Sequence, residues 1–395
     1  MAREISDMVY WVGVNDRKND LFESYWPIPD GISYNSYLVK DEKTALIDGV
    51  KGGFTEDFLN RVEPVEKIKD IDYVVVNHME PDHTGVFPSL RRINPEITFV
   101  GTEKTKELLE SFYGITRGVR VVGTDDSLDL GSNTLEFVET PFIHWPETMM
   151  TYLREQEMLF SGDGFGTYGA LDGGLFDDQL DIERYVDEAI RYLSNIVGAY
   201  SATLQGALAK LRNLDLEIVA PTHGPVWREN PETIIQLYDK YSSGGANRGV
   251  TIIHGSMYGF TEKVTEQVAK GVRSTGLKDL KLLDASRLHP SYLLLSAWKR
   301  RGLIIGSPTY ESRAFPPVSN FLNIVEKKKL KDRIAGIYGS YGWGGGSVRE
   351  IEDTAETLNW DLISSPVEFN GQPSEDQLEN GFALGRETAE AVQEK

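Results

Sequence analysis

The chain has 395 residues, a formal net charge of −20 and no cysteine. The lack of cysteine excludes disulfides, zinc–thiolate sites and cysteine-ligated iron–sulfur clusters, and the acidic balance argues against nucleic acid or an anionic membrane as the main partner. No apolar run approaches the roughly 20 residues of a membrane-spanning helix, so we expect a cytoplasmic protein of two or three domains.

Strand patterns dominate the first part of the chain. Short apolar runs predict five strands, at residues 34–39, 44–47, 71–77, 134–140 and 149–160. The last of these runs turns near Glu155. Apolar residues at helical spacing predict one long helix over residues 182–213, and a short strand follows at 216–220. Strands mixed with helices in this way predict a layered α/β domain.

A small, polar, glycine-rich segment at residues 242–249 predicts a linker between two domains, at residues 1–245 and 249–395. Beyond the linker, apolar runs predict strands at residues 250–253, 281–284, 303–305, 333–338 and 367–369. These strands alternate with helical patterns, and Ser374 with Gln377 forms a capping box for the final helix. Such alternation predicts a doubly wound parallel sheet.

Potential metal ligands crowd the segment that follows the strand predicted at 71–77. Four of them lie within six residues: His78, Glu80, Asp82 and His83. Because Pro81 interrupts a helix, we predict a loop that turns alternate side chains toward two centres. Three further candidates follow predicted strands beside glycine or proline: His144, Asp163 and His223. Each alone would be an ordinary loop residue, but the joint pattern indicates a metal site.

Three loops at predicted strand ends in the second domain combine glycine with hydroxyl and aromatic side chains. Backbone N–H groups at a helix N-terminus, with the hydroxyls of Ser256 and Thr261, suit a phosphate monoester. None of the loops has the Gly-x-Gly-x-x-Gly form, so a dinucleotide is not favoured. The candidate cofactor-binding residues are Ser256, Met257, Tyr258, Gly259, Phe260, Thr261, Ser307, Pro308, Thr309, Tyr310, Ser340, Tyr341, Gly342, Trp343, Gly344 and Gly345.

The segment His78–His83 closely resembles the ligand loop of the metallo-β-lactamase superfamily, in the flavodiiron variant that carries glutamate at the position of Glu80. The run Ala45-Leu46-Ile47-Asp48-Gly49 resembles the strand that supports this loop, and the three later loops resemble those of flavodoxins. The resemblance to flavodiiron proteins covers essentially the whole chain. It implies an N-terminal metallo-β-lactamase-like αββα sandwich followed by a flavodoxin-like doubly wound parallel sheet.

This resemblance also implies the cofactors, which are FMN and two non-haem iron ions. One iron would take His78, Glu80 and His144, the other would take Asp82, His83 and His223, and Asp163 would bridge both. The glutamate adds a hard anionic oxygen, which favours iron over zinc. Three neighbouring aromatic residues are predicted to shape a gas pocket: Tyr25, Trp26 and Trp145.

Flavodiiron proteins reduce dioxygen to water, nitric oxide to nitrous oxide, or both. Two ferrous ions and reduced FMN together supply the four electrons that dioxygen needs. The resemblance implies an external electron donor, either reduced coenzyme F-420 or rubredoxin. It also implies a homodimer or homotetramer in which head-to-tail subunits bring FMN of one chain beside the metal site of another.

Two alternatives stay open at this point. The first is a metallo-β-lactamase-fold hydrolase with a flavodoxin-like appendage, against which Glu80 and the cofactor loops both argue. The second is an electron carrier that uses the flavodoxin-like domain alone. The choice between dioxygen and nitric oxide also stays open, because both substrates need an accessible pair of ferrous ions.

Overall fold

A computed structural model describes all of residues 1–395. The chain divides into two compact units, one formed by Met1–Leu193 with Tyr200–Asp239 and the other by Ser194–Ala199 with Lys240–Lys395. None of the helices combines the length and the apolar character needed to cross a membrane.

Two β-sheets form the frame of the first unit. Its strands are β1 (Arg3–Ser6), β2 (Val9–Trp11), β3 (Val14–Asp16), β4 (Leu21–Phe22), β5 (Trp26–Pro27), β6 (Ile32–Tyr34), β7 (Tyr37–Lys40), β8 (Thr44–Ile47), β9 (Tyr73–Val75), β10 (Thr98–Gly101), β11 (Val119–Val121), β12 (Ser127–Asp129), β13 (Thr134–Glu139), β14 (Met149–Leu153), β15 (Met158–Phe160) and β16 (Ile218–Ala220). The helices of this part of the chain are α1 (Thr55–Val62), α2 (Pro81–Thr84), α3 (Phe87–Ile93), α4 (Glu103–Tyr113), α5 (Ile182–Tyr192), α6 (Ser201–Leu211) and α7 (Pro231–Ser242).

The two sheets have the strand orders β1-β2-β7-β8-β9-β10-β11 and β12-β13-β14-β15-β16. Alternate residues of both sheets point into one shared apolar core, as strand geometry requires. Fully buried members of this core include Val39, Ile47, Leu135, Met158 and Ala220. The predicted sandwich is therefore confirmed.

Parallel strand pairs position the candidate ligands. Strand β8 pairs in parallel with β9, and β15 pairs in parallel with β16. The segments that leave the carboxyl ends of these strands carry Asp48, His78, Asp163 and His223. Segments far apart in sequence thus converge because neighbouring strands end at the same edge.

The second unit is built on a parallel sheet with strand order β18-β17-β19-β21-β22, to which β20 and β23 add further pairs. Its strands are β17 (Asn247–His254), β18 (Leu280–Asp284), β19 (Arg300–Tyr310), β20 (Arg313–Ala314), β21 (Ile334–Tyr341), β22 (Asp361–Leu362) and β23 (Val367–Asn370). Its helices are α8 (Phe260–Ser274), α9 (Pro290–Lys299), α10 (Pro316–Lys328), α11 (Ser347–Thr357) and α12 (Glu375–Glu394). The β17-to-β19 reversal is the flavodoxin-like order, so the predicted fold is confirmed.

Helices α8 and α12 pack closely because a glycine of each helix faces the backbone of the other. A Cβ atom added at Gly385 would lie 2.0 Å from the carbonyl oxygen of Val268, and one added at Gly271 would lie 2.0 Å from that of Phe382. No side chain fits in such a space. The capping box of Ser374 and Gln377 at the start of α12 is confirmed.

Two helix predictions were wrong. The stretch 182–213 is not one helix, because a π-helical turn at Leu193–Val197 and a 3₁₀ turn at Gly198–Tyr200 separate α5 from α6. Apolar periodicity continues through such turns and does not reveal them. Pro81 does not exclude a helix either, since it occupies the first turn of the short helix α2, where no backbone N–H is needed.

Strand extents also differ from prediction. The run 34–39 is interrupted between β6 and β7, where the Asn35 N–H donates to the carbonyl of Thr222 instead of to a strand neighbour. Strand β17 begins at Asn247, inside the segment predicted as a linker. Strands β19 and β21 extend to Tyr310 and Tyr341, so parts of two predicted loops are strand.

Candidate metal centre and cofactor cleft

Asp48 anchors the segment that carries the first four candidate ligands. It follows β8 with a φ of 52°, and its carboxylate accepts hydrogen bonds from the backbone N–H of Asn77 at 2.8 Å and from the Asn77 amide at 2.9 Å. At the other end, the Thr84 hydroxyl bonds the carbonyls of Met79 and Glu80 at 3.1 and 3.0 Å. The segment is therefore fixed on both sides of its ligands.

Glu147 joins this segment to the loop that carries His144. The Glu147 side chain is almost fully buried, and its Oε1 accepts the Met79 N–H at 2.7 Å. Met79 lies between His78 and Glu80, so Glu147 holds the backbone that orients both. The sequence analysis did not single out Glu147, because the only hint is that it is acidic and lies three positions after His144.

Thr222 joins the loop that carries Asp163 to the loop that carries His223. Its backbone N–H donates to the carbonyl of Gly162 at 3.0 Å, and its hydroxyl donates to Oδ1 of Asp163 at 2.6 Å. The next residue, His223, has its Nδ1 2.7 Å from the carbonyl oxygen of Ser33, a contact that assigns the proton to Nδ1. The Nε2 atom of His223 is therefore free to face the centre.

One set of ligand atoms surrounds Oδ2 of Asp163. His144 Nε2 lies 3.1 Å from this oxygen and 2.9 Å from Glu80 Oε2. His78 Nε2 lies 3.4 Å from the same Asp163 oxygen and 3.8 Å from Glu80 Oε2. Donor atoms about 2.1 Å from one ion lie about 3.0 to 3.4 Å apart at ordinary bond angles, so this spacing suits a single ion.

A second set surrounds the other oxygen of Asp163. Nε2 atoms of His83 and His223 lie 3.1 Å apart, and each is 3.4 Å from Asp163 Oδ1. Asp82 Oδ2 lies 3.2 Å from the His83 nitrogen and 3.5 Å from the His223 nitrogen. The structure thus brings all seven predicted ligands together and divides them into two sets that share Asp163.

Unbonded polar atoms in the centre fit the binding of a cation. His78 and His83 are fully buried, yet both nitrogens of His78 and Nδ1 of His83 have no hydrogen-bond partner. Both carboxylate oxygens of Asp82 are unbonded as well. Buried polar atoms are normally satisfied, and a bound metal ion would satisfy the inward-facing ones among these.

Electrostatics within the centre favour charged forms of both residue types. Burial opposes the charge on His83, but Asp82 and Asp163 outweigh it and raise the pKa of His83 to about 9. His144 is likewise opposed by burial, while Asp163 and Glu80 raise its pKa to about 10. The histidines in turn hold the pKa of Asp163 well below its usual range despite burial.

Aromatic rings pack around the ligand histidines, and the predicted Trp145 is among them. The Trp145 ring lies 6.5 Å from the His144 ring. Tyr25 and Trp26 pack on each other at 4.7 Å. Rings that sequence reasoning missed lie closest to His223, at 5.4 to 5.8 Å: Phe22, Tyr192 and Tyr34. They lie in β4, α5 and β6, and only the packing of these elements brings them to His223, so the sequence carries no local signal for them.

The three predicted loops of the second unit line a cleft of about 520 Å³. Thirteen of the sixteen predicted cofactor-binding residues line it, and the exceptions are Gly259, Ser307 and Gly345. The lining also includes residues that were not predicted: Glu311, Ser312 and Gly371. Thr261 and Ser340 meet at its base, where their hydroxyl oxygens are 2.9 Å apart.

Large side chains at the mouth of this cleft are exposed. Trp343 is 99% exposed and Tyr258 is 83% exposed, values that are unusual for aromatic residues. Gly259, with a φ of 85°, adopts the left-handed conformation immediately before α8 and leaves the helix N-terminus open. A planar aromatic ligand with a phosphate group suits this combination of open helix end, hydroxyls and aromatic rim.

Sequence comparisons match both units. Residues 32–224 match the profile described as "ODP family beta lactamase", and residues 252–385 match that of flavodoxin. The chain is 31% identical over 393 residues to a nitric oxide reductase of Moorella thermoacetica, an alignment that covers 98% of each protein.

The fold of the whole chain matches that of solved structures. The rubredoxin:oxygen oxidoreductase of Desulfovibrio gigas superposes with a TM-score of 0.95 at 28% identity, covering 100% of this chain and 99% of that one. The flavodiiron protein of Giardia intestinalis superposes with a TM-score of 0.95 at 30% identity, covering 100% of this chain and 97% of that one.

Proposed function

The chain belongs to the flavodiiron protein family, and on this premise we propose that it reduces dioxygen to water, nitric oxide to nitrous oxide, or both. A pair of non-haem irons would supply the site of reduction, and FMN would supply the electrons. The observation that carries the proposal is the placement of Asp163, whose two oxygens face two different sets of imidazole and carboxylate groups.

The ligand chemistry fits iron. Each set offers two imidazoles and one carboxylate, with Asp163 shared, and hard oxygen donors suit an ion that cycles between two and three positive charges. His78, Glu80 and His144 would hold one iron, whereas Asp82, His83 and His223 would hold the other. When bound, the irons supply the site at which the gas is held and reduced.

The protein's own residues prepare this chemistry. Asp48 and Glu147 hold the first ligand segment rigid, so that the donor atoms need little reorganisation when a metal binds. The buried rings of Phe22, Tyr34 and Tyr192 surround His223 and would limit the water that reaches it. These features favour a small apolar gas over a hydrated anionic substrate.

The cleft of the second unit would hold FMN. Backbone N–H groups at the start of α8 and the Ser256 and Thr261 hydroxyls would bind the phosphate, while aromatic side chains at the cleft mouth would contact the ring system. Bound FMN supplies storage of two electrons and their release one at a time.

The electron donor and the assembly are part of the same proposal. The Desulfovibrio gigas relative is named for rubredoxin and oxygen, which supports rubredoxin as a donor; reduced coenzyme F-420 is the second candidate. The sequence does not identify the donor. The chain has no cysteine to hold an iron–sulfur relay of its own. A head-to-tail homodimer, alone or paired into a tetramer, would bring the flavin of one subunit to the irons of another.

The deciding experiment combines composition with turnover. We expect two irons and one FMN per chain, and consumption of dioxygen or nitric oxide when anaerobically reduced protein receives each gas separately with rubredoxin or reduced F-420. Zinc in place of iron, without yellow flavin absorbance and with hydrolytic activity, would establish the metallo-β-lactamase-type hydrolase instead. Gas consumption that persists after His78→Asn removes the metal would overturn the role of the centre.

A further inference from the structure

Thr222 is the one hydroxyl residue that hydrogen-bonds the carboxylate of Asp163, which is shared by the two ligand sets. Its side chain is buried, and it donates to Oδ1 of Asp163 over 2.6 Å. The bond is held by backbone contacts on both sides, since Thr222 N–H donates to Gly162 and the Thr222 carbonyl accepts from Asn35. The hydroxyl therefore has little freedom to turn elsewhere.

This bond acts on only one of the two halves of the centre. Each half contains two imidazoles, one carboxylate and one oxygen of Asp163. Only Oδ1, which faces His83 and His223, receives a hydroxyl proton; Oδ2 faces imidazole and carboxylate groups alone. A hydrogen bond draws electron density away from the accepting oxygen and weakens it as a ligand.

A second contact strengthens a ligand of the same half, whereas the Thr222 bond weakens one. Nδ1 of His223 donates to the carbonyl of Ser33 at 2.7 Å, which strengthens the Nε2 atom as a ligand. The two effects arise from different residues. Substitution of Thr222 therefore removes one while the other stays in place.

Resting on the proposed function, we infer that Thr222 is a positioning residue that raises the reduction potential of the iron on the His83–His223 side. A weaker anionic donor stabilises the ferric ion less than a stronger one, whereas the ferrous ion depends on it less. With the hydroxyl in place, that iron would therefore be easier to reduce than it would be without the hydroxyl.

The test is a redox titration of the iron-loaded, FMN-containing protein, with dithionite as reductant and the iron signals followed by Mössbauer and EPR spectroscopy. We expect Thr222→Val to shift the reduced-to-oxidised ratio of one iron about tenfold toward ferric, equivalent to about 59 mV for one electron. Thr222→Ser keeps the hydroxyl and should match the unsubstituted protein. Thr388→Val, a buried threonine of α12 that bonds only the Leu384 carbonyl, is the matched control.

Several outcomes separate this inference from the proposed function. Absence of two irons from the unsubstituted protein would defeat the proposed function itself. If the valine variant binds two irons and each has the same potential as in the unsubstituted protein, only the role of Thr222 is defeated. Thr222→Ala provides a smaller hydroxyl-free variant if the valine protein misfolds. If neither hydroxyl-free variant retains two irons while the serine variant does, the hydroxyl serves occupancy, and the inference as stated is wrong.

Discussion

The role of Asp163 as a shared ligand depends on where the fold places it more than on its local sequence. The Gly162–Asp163–Gly164 segment would be an ordinary turn in most proteins. Here its two oxygens face two sets of histidines at 3.1 to 3.4 Å, and its carboxylate is fully buried. A charge in that position is stable only with cations around it, so the residue and its metals are interdependent.

Replacing Asp163 with asparagine should remove the centre. The amide cannot supply an anionic oxygen to both sets, so we expect less than one iron per chain and a loss of gas reduction of about 100-fold or more. Iron analysis and oxygen or nitric oxide electrodes measure the two effects. Asp172→Asn removes a half-exposed carboxylate paired with Arg184 and should leave both unchanged. Full iron content in Asp163→Asn would contradict the bridging role.

Histidine charge predicts how metal-free protein responds to pH. The folded-state pKa values of His83 and His144, about 9 and about 10, lie above the usual value of about 6.5. Their contribution to stability is complete below pH of about 6.5 and is lost as pH rises through these values. Chelator-treated protein should therefore lose thermal stability between pH 7 and 10, whereas iron-loaded protein, whose ligands are already deprotonated, should change less. Equal slopes of melting temperature against pH would contradict this.

The contact between α8 and α12 limits which side chains these helices can carry. Helices α8 and α12 approach through Gly271 and Gly385, where an added Cβ would overlap a backbone carbonyl. Backbone atoms cannot rotate away as the end of a flexible side chain can. The strand-to-helix order of this unit was readable from the sequence, but the close approach depends on two helices that are about 110 residues apart along the chain, a separation of the kind that sequence patterns do not report.

Two glycine-to-alanine substitutions should have opposite effects. Gly385→Ala forces α12 away from Val268, and we expect a loss of unfolding free energy of about 1–3 kcal/mol or more. Gly206 lies in α6 with nothing within 4 Å of its added Cβ, so Gly206→Ala should stabilise by about 0.5–1 kcal/mol through helix propensity alone. Chemical denaturation measures both. A neutral Gly385→Ala would show that the helix pair can separate at little cost.

The candidate metal centre and the flavin cleft lie in different units of the chain. Every candidate metal ligand lies in the first unit and every residue of the flavin cleft lies in the second. The two cofactors should therefore be separable by substitution. Such separability also tests whether gas reduction needs both, as the proposed function requires.

Thr261→Val should weaken flavin binding without changing iron content. The substitution removes a hydroxyl at the base of the cleft, and loss of one hydrogen bond to a charged phosphate raises the FMN dissociation constant about tenfold or more. Fluorescence titration of flavin-free protein measures this, and iron analysis supplies the second readout. Thr388→Val should resemble the unsubstituted protein in both. A parallel loss of iron would indicate general unfolding instead.

The two-domain α/β architecture, the family resemblance and the seven ligand side chains could all be predicted from the amino-acid sequence. These are readable because motif spacing and strand–helix alternation are local properties. The sequence did not reveal the break at Asn35, the π-helical turn or the first-turn role of Pro81, since each depends on hydrogen bonds or positions that apolar periodicity does not report.

The groups that support the ligands could not be predicted from the sequence, because they come together only in the folded chain. Glu147 reaches Met79 across 68 positions of sequence and Thr222 reaches Asp163 across 59. Neither residue belongs to a motif that predicts the contact. Parallel pairing of β8 with β9 and of β15 with β16 brings their exit loops to common edges, and burial there leaves each polar atom needing a nearby partner. That requirement, imposed by the fold, selects the supporting residues.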